Sequence, residues 1–314
     1  MICTYKFFKY NIDMEKKVLV IGSANVDQTL FVENFPKEKE TIIGNQLITS
    51  FGGKGLNQAY ALKKAGLDVT FAYAIGDDFN GELISNFVKK CEINEFLFKY
   101  DNTSSGHATI LVNKSGENKI VIIPGSNYKL SKENIMSFEE KISMFSYVVI
   151  QNEINYVTTK FVIETCKKYN VKILYNPAPY IKIDDDLFDG VDFLTPNEIE
   201  LEQYANKKVD KKSLISIKNA ANILLEKGVK NIIVTLGDKG AYFINNSEDF
   251  LVESFKVEAV DTVSAGDTFS AYFLFGIINN LSIKNAILLG NKAASITCSR
   301  KGSLISIPSI DELK

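Results

Sequence analysis

The stretch Glu258-Ala-Val-Asp261-Thr262-Val263-Ser264-Ala265-Gly266-Asp267-Thr268-Phe269 decides how the rest of the chain is read. The apolar residues before Asp261 predict the end of a strand. Phe269, Tyr272, Phe273, Phe275 and Ile277 beyond it predict a buried helix. The small residues between them predict a tight turn whose backbone N–H groups have no intrahelical acceptor. Free amides and the helix dipole both favour negative charge at such a start, so it attracts anions. Asp267 stands beside that anion hole, with Ala265 and Gly266 in its wall. A carboxylate next to a phosphate cradle suits phosphoryl transfer, where a proton must be taken from an attacking alcohol. An isolated Asp before a helix is also an ordinary cap.

Composition narrows the class. At 314 residues, 46% hydrophobic and 24% charged, the chain can bury a large core, and one α/β domain with an appendage is expected. A formal charge of −2 gives no electrostatic case for nucleic acid or an anionic membrane as partner. Cys3, Cys91, Cys166 and Cys298 are far apart, which argues against zinc and a disulfide framework and for a reducing, cytoplasmic compartment. No apolar run approaches transmembrane length. Residues 1–16 lack the apolar core of a signal peptide and read as a short extension before the first strand, with 17–314 as one catalytic unit.

From the other end, Lys17-Val-Leu-Val-Ile21 reads as a buried parallel strand, followed by Gly22-Ser-Ala-Asn25-Val-Asp27. Polar residues at the carboxyl end of such a strand sit where α/β proteins bind ligands, although Asn25 and Asp27 could merely form a turn. Two β-rich segments, 28–35 and 40–50, delay the next helix until Phe51-Gly-Gly53-Lys54-Gly55-Leu-Asn57-Gln58-Ala59. This is neither a dinucleotide fingerprint nor a P-loop. Its glycines allow close backbone approach to a polyhydroxylated ligand, and Asn57 offers it a donor and an acceptor. Residues 69–74 read as a strand, 80–91 as a helix, and 107–112 with 119–123 as a hairpin. Helices are expected over 130–141, 159–169, 213–227 and 283–297, and strands over 147–153 and 231–235. His107, the single histidine, reads as structural rather than as a base.

Asp261-Thr262-x-x-Ala265-Gly266-Asp267 resembles the C-terminal signature of the ribokinase family of sugar kinases, and Gly52-Gly53-Lys54-Gly55-x-Asn57-Gln58 resembles its N-terminal one. The resemblance runs from Val18 to Pro308. It implies a three-layer α/β/α sandwich with a mostly parallel central sheet. A small β-sheet lid would be built from about 28–50 and 106–125. It implies ATP-dependent phosphorylation of D-ribose at its 5-hydroxyl, with Asp267 as general base and an anion hole at 264–267. The alternatives are another acceptor (deoxyribose, fructose or adenosine) or a non-catalytic sugar-binding sensor.

In family terms the sugar falls to Asn25, Asp27, Gly53, Lys54, Gly55, Asn57, Glu153 and Asp267. ATP falls to Asn197, Thr235, Gly237, Asp238, Gly240, Gly266 and Asn291. Glu200 would act on Mg²⁺ through water, although Asn197-x-x-Glu200 is also what a helix N-terminus with acidic residues looks like. Activating K⁺ would be held by Asp261, Val263, Thr297, Arg300, Gly302 and Ser306, and for Arg300 a surface salt bridge is the competing reading. A lid apolar on both faces must be covered on both, which implies a homodimer through the lid. Ser264 departs mildly from the Ala or Gly usual at its position.

Overall fold

The computed structural model describes residues 17–313; the expected extension over 1–16 lies outside them. In chain order the strands are β1 (Lys17–Ile21), β2 (Asn25–Phe31), β3 (Gln46–Gly52), β4 (Asp68–Gly76), β5 (Asn94–Tyr100), β6 (Gly106–Val112), β7 (Asn118–Ile123), β8 (Tyr147–Ile150), β9 (Lys172–Tyr175), β10 (Phe193–Leu194), β11 (Asn231–Thr235), β12 (Ala241–Asn245) and β13 (Asp249–Val252). The helices are α1 (Lys54–Lys64), α2 (Phe79–Lys90), α3 (Lys132–Met136), α4 (Tyr156–Tyr169), α5 (Glu198–Ala205), α6 (Leu214–Glu226), α7 (Ala265–Ile278) and α8 (Ile283–Cys298).

A nine-stranded sheet in the order β13-β12-β11-β10-β9-β8-β1-β4-β5 forms the middle layer. From β5 to β11 all neighbours are parallel, and β12 and β13 complete one edge as an antiparallel meander. Its strands are covered on both faces, as parallel sheets must be. Val18 and Val20 face a core shared with α1, α2, α7 and α8, whereas Leu19 and Ile21 face one shared with α3, α4, α5 and α6. The expected sandwich is therefore present.

The second sheet has four strands in the order β3-β2-β6-β7, with β2 and β6 parallel and the outer pairs antiparallel. Its strands overlap the segments expected for the lid, but β2 starts earlier and β3 runs on to Gly52: Asn25 and Asp27 belong to β2 itself, not to a turn after β1. On β7 all six residues are exposed, Ile120, Val121, Ile122 and Ile123 among them.

Two local expectations need correction. No strand precedes Asp261. Residues 253–260 are irregular, and Val257 and Val260 are half-exposed, so their apolar character does not reflect a core position. The helix expected over 130–141 is capped by Ser131 but stops at Met136, and a 3-10 turn, Glu139–Met144, takes over. Phe138 is the reason: it leaves helical geometry (φ −133°) to stack on Phe96 at 4.2 Å. The hairpin of β12 and β13 was not anticipated at all.

Candidate active site

The carboxyl ends of β1, β8, β9 and β10 converge on one edge of the sheet, where open α/β folds place their ligands. Two helix starts from the same layer, those of α1 and α7, face this edge and pack on each other. Gly55 makes the first of these approaches possible: a Cβ there would lie 2.5 Å from the Ser23 amide nitrogen. Leu56 N donates to Ser23 O at 2.8 Å across the same contact.

α7 is a core helix. From Asp267 to Gly276 every residue is buried, which suits a helix apolar on all sides. Its cap is Ser264, in left-handed geometry at φ 63°, and Ser264 makes no side-chain cap. The hydroxyl bonds Ser303 Oγ at 2.6 Å instead. Ala265 N donates to Thr262 O at 3.3 Å, and Gly266 and Asp267 follow in the first turn, where amides lack intrahelical acceptors. A Cβ at Gly266 would meet nothing within 4 Å, so this backbone faces open space. This helix start, with open space before Gly266, is the place where the anion hole was expected.

Asp267 is not the cap of its helix. It is 5% exposed, and both oxygens accept from side-chain amides of α1: Oδ2 from Asn57 Nδ2 and Oδ1 from Gln58 Nε2, each at 2.9 Å. Asn57 Oδ1 in turn accepts from Ser303 Oγ at 3.3 Å.

Around this carboxylate lie the other sugar candidates. Glu153 Oε2 accepts from Ser23 Oγ at 2.5 Å and from Lys54 N at 2.8 Å, which pins it to the start of α1. Asn25 Oδ1 accepts from Asn127 Nδ2 at 2.8 Å, and Asn127 Oδ1 accepts from Ala24 N at 3.0 Å. Asp27 Oδ1 is buried without a partner among the described residues. Burial, and then the charge of Glu153, push the Asp27 carboxyl up to about 7. The Lys54 ammonium lies among Asp267, Glu153 and Glu200. Burial works against its charge, but the three carboxylates prevail and hold its pKa above the ordinary value.

Asn197 and Glu200 close α5 with a capping box. Asn197 Oδ1 accepts from Ile199 N and Glu200 N, and Glu200 Oε2 accepts from Asn197 N at 2.9 Å. Burial raises the Glu200 pKa despite that bond and the nearby Lys54. Thr235 pairs with Asn197 in an isolated parallel bridge, which brings the end of β11 beside this box. Gly237 and Asp238 form the turn between β11 and β12, and Gly240 closes it (φ 101°) so tightly that a Cβ would lie 2.1 Å from Val252 O. Asn291 has both amide hydrogens directed at carbonyls, Val252 O at 3.0 Å and Glu253 O at 3.2 Å, so it tethers the segment after β13.

Asp261 joins two loops, accepting from Val263 N and Gly302 N at 3.0 Å each. Thr297 and Ser306 are fully buried, while the Arg300 guanidinium pairs with Glu312 at 2.5 Å. For that side chain the surface salt bridge is what is observed. Among the described residues no cluster of three or more His, Cys, Asp or Glu could cage a metal ion.

Sequence reasoning did not single out Ser23, Gln58, Gln151 or Ser303 as site residues. Gln58 stood in a quoted motif, and Gln151 directly follows an apolar run, the usual place for a ligand-facing side chain. Ser303 carried no signal, because only folding brings residue 303 to residue 57.

Residues 15–310 match the family described as pfkB family carbohydrate kinase. The chain is similar to a ribokinase of Staphylococcus aureus, 34% identical over 96% of this chain and 99% of that protein. It is also similar to a deoxyribokinase of Salmonella typhi, 35% identical over 94% and 96% respectively. A structure of Arabidopsis thaliana ribokinase complexed with ribose and ATP superimposes with a TM-score of 0.88 at 29% identity, covering 96% of this chain and 98% of that one.

Proposed function

The chain belongs to the pfkB family of carbohydrate kinases, and from that premise we propose that it phosphorylates D-ribose at the 5-hydroxyl, consuming ATP. One observation carries the reading: a buried carboxylate, Asp267, is held by two amides directly beside a helix start whose cap residue does not cap. Asp267 accepts the proton of the 5-hydroxyl as that oxygen attacks the γ-phosphate. The amides of Gly266 and Asp267 hold the charge of the transferring phosphoryl group, with Ala265 in the same turn. Asn25, Asp27, Gly53, Lys54, Gly55, Asn57 and Glu153 hold the sugar, and the lid excludes water that would otherwise hydrolyse ATP.

Thr235, Gly237, Asp238 and Gly240 line the nucleotide side together with Asn197, and Asn291 acts there by fixing the Val252–Glu253 backbone. Mg²⁺ bound with ATP supplies charge neutralisation between the phosphates, and Glu200 would hold it through water. The carbonyls of Val263, Thr297, Arg300 and Gly302, with Asp261 and Ser306, would hold K⁺ behind the anion hole. A second copy of the chain docks on the lid, and the cytoplasm is the compartment that the separated cysteines favour.

The deoxyribokinase relative keeps 2-deoxyribose open as acceptor. The test is ADP release with Mg·ATP and ribose, deoxyribose, fructose or adenosine, each with K⁺ or Na⁺. Ribose-dependent release stimulated by K⁺ is expected; release with another acceptor moves the specificity. Binding of ribose without release from any acceptor points to a sensor. Asp267→Asn should lose turnover by at least roughly 100-fold while still binding ribose, a general base being worth 100- to 10,000-fold. Wild-type turnover in that variant would sink the assignment.

A further inference from the structure

Behind Asp267 runs a file of buried amides that this mechanism does not use. Gln58 is fully buried; its Nε2 donates to Asp267 Oδ1 at 2.9 Å and to Asn176 Oδ1 at 3.2 Å. Its Oε1 accepts from Gln151 Nε2 at 2.7 Å. Gln151, also fully buried, follows β8, and Asn176 follows β9, where its Nδ2 is fixed by the Thr195 carbonyl at 2.9 Å. Gly22 makes room for the file, since a Cβ there would lie 2.2 Å from Gln151 Oε1.

The nitrogen of an amide only donates and its oxygen only accepts. Asn176, whose oxygen faces Gln58 because its nitrogen is tied to the Thr195 carbonyl, therefore fixes which end of Gln58 faces Asp267, and Gln151, whose Oε1 has no partner among the described residues, follows Gln58. If Gln58 turned over, its oxygen would face a carboxylate oxygen and the Asn176 oxygen. Such mismatches are costly where no water can compensate. The two oxygens of Asp267 are thus unequal. Oδ1 is bound to an amide locked from the sheet side. Oδ2 is bound to Asn57, itself a sugar-binding candidate and held only by a hydroxyl.

We propose that Gln58, oriented by Asn176 and held at its oxygen by Gln151, is a positioning residue that reserves Asp267 Oδ1 as a fixed acceptor, so that Oδ2 is the oxygen that takes the proton of the sugar hydroxyl. The inference rests on Asp267 being the base. The charged groups facing Asp267 from the elements around it are Lys54 and Glu200, with Glu153 and Asp27 beyond Lys54. They are unchanged in the variants below, so a difference from the wild type reports the amide file.

The experiment compares wild type with Gln58→Met, Gln58→Glu, Gln151→Met and Asp267→Asn in the full chain. It measures kcat and KM for the sugar acceptor from pH 5 to 9, with sugar binding and thermal melting as folding controls. Gln58→Met should lower kcat by roughly 10- to 100-fold, the scale of a small misplacement of a reacting group, with KM within about threefold. Gln58→Glu sets two carboxyl groups side by side, so the acid limb of kcat should move up by about one pH unit or more. Gln151→Met touches nothing on Asp267, yet it removes the donor to Gln58 Oε1, so it should lower kcat in the same direction by loosening Gln58. Folded Gln58 variants with wild-type kcat and acid limb overturn the proposal. If neither position-58 variant folds, a wild-type profile in Gln151→Met overturns it as well. Loss of activity in Asp267→Asn beside normal Gln58 variants removes only the positioning role. An active Asp267→Asn removes the base assignment and this inference together.

Discussion

Asp27 shows how much chemistry one side chain inherits from its surroundings. It sits on β2 with Oδ1 buried and unpaired among the described residues, and its carboxyl is pushed up to about 7, first by burial and then by Glu153. An aspartate in the unfolded chain loses its proton near roughly 4. Between those two values the folded protein holds more proton than the unfolded one. This group's contribution to stability is therefore most favourable at low pH and is lost as pH rises towards 7. Sugar hydroxyls donate to a carboxylate and so favour its ionised form. Ribose affinity should accordingly rise with pH up to about 7 and then level off, by at most about tenfold per pH unit. Calorimetric titration with ribose between pH 5.5 and 8 checks this, and Asp27→Asn should flatten the profile. A flat wild-type profile would show that Asp27 does not meet the sugar as an anion. The identity of such residues was legible in the sequence. The partners that tune them were not, because Glu153 is separated from Asp27 by most of the lid.

At the scale of elements, α7 ties the core to the chemistry. Phe273 is fully buried, meeting Phe193 edge-on at 5.2 Å and stacking on Phe269 at 6.3 Å. Phe273→Ala should cost roughly 3–5 kcal/mol of stability, the transfer free energy plus a cavity. Denaturant unfolding reads it directly. A loss under about 1 kcal/mol would mean that the helix is not seated as described. Helices were legible where an apolar stripe coincided with a cap, as at Ser213 and Ser282, whereas at Ser131 only the start was; each of the three caps through its side chain. Ser264 breaks that rule. It stands at a cap position and is a good capping residue, but its hydroxyl is taken by Ser303. Local sequence cannot report that, since the competing partner lies 39 residues away. The capping box of Asn197 and Glu200 is the converse. The bland and the functional reading coincide there, because the bonds that close α5 also place Glu200 beside Lys54 and Asp267.

For the whole molecule the open question of surface is the lid. Every residue of β7 is exposed, including Ile120–Ile123, and Leu47 and Ile48 of β3 are exposed as well. A run of this kind on an outer strand invites pairing with another chain. With a second copy as the occupant, sedimentation at micromolar concentration should give twice the chain mass of 35.1 kDa. Replacing Ile120 and Val121, adjacent residues that point to opposite faces, by lysine should shift the mass to that of one chain. A wild-type protein that sediments as one chain would remove the dimer.

The sequence by itself determined the layered α/β architecture, because buried parallel strands must be apolar throughout and their covering helices must carry an apolar face. It also singled out Asp267 as the candidate base and the glycine-bearing helix start beside it, since those features depend on residues adjacent along the chain. Tertiary structure alone decided which atoms meet. Packing of α1 on α7 set Asn57 and Gln58 on Asp267, and Phe138 ended a helix to reach Phe96. Val257 and Val260, apolar but unable to reach either core, stayed in an irregular segment. Hydrogen bonds and burial are properties of distance in space, and between residues 58 and 267 that distance is set by the fold rather than by anything written near either residue.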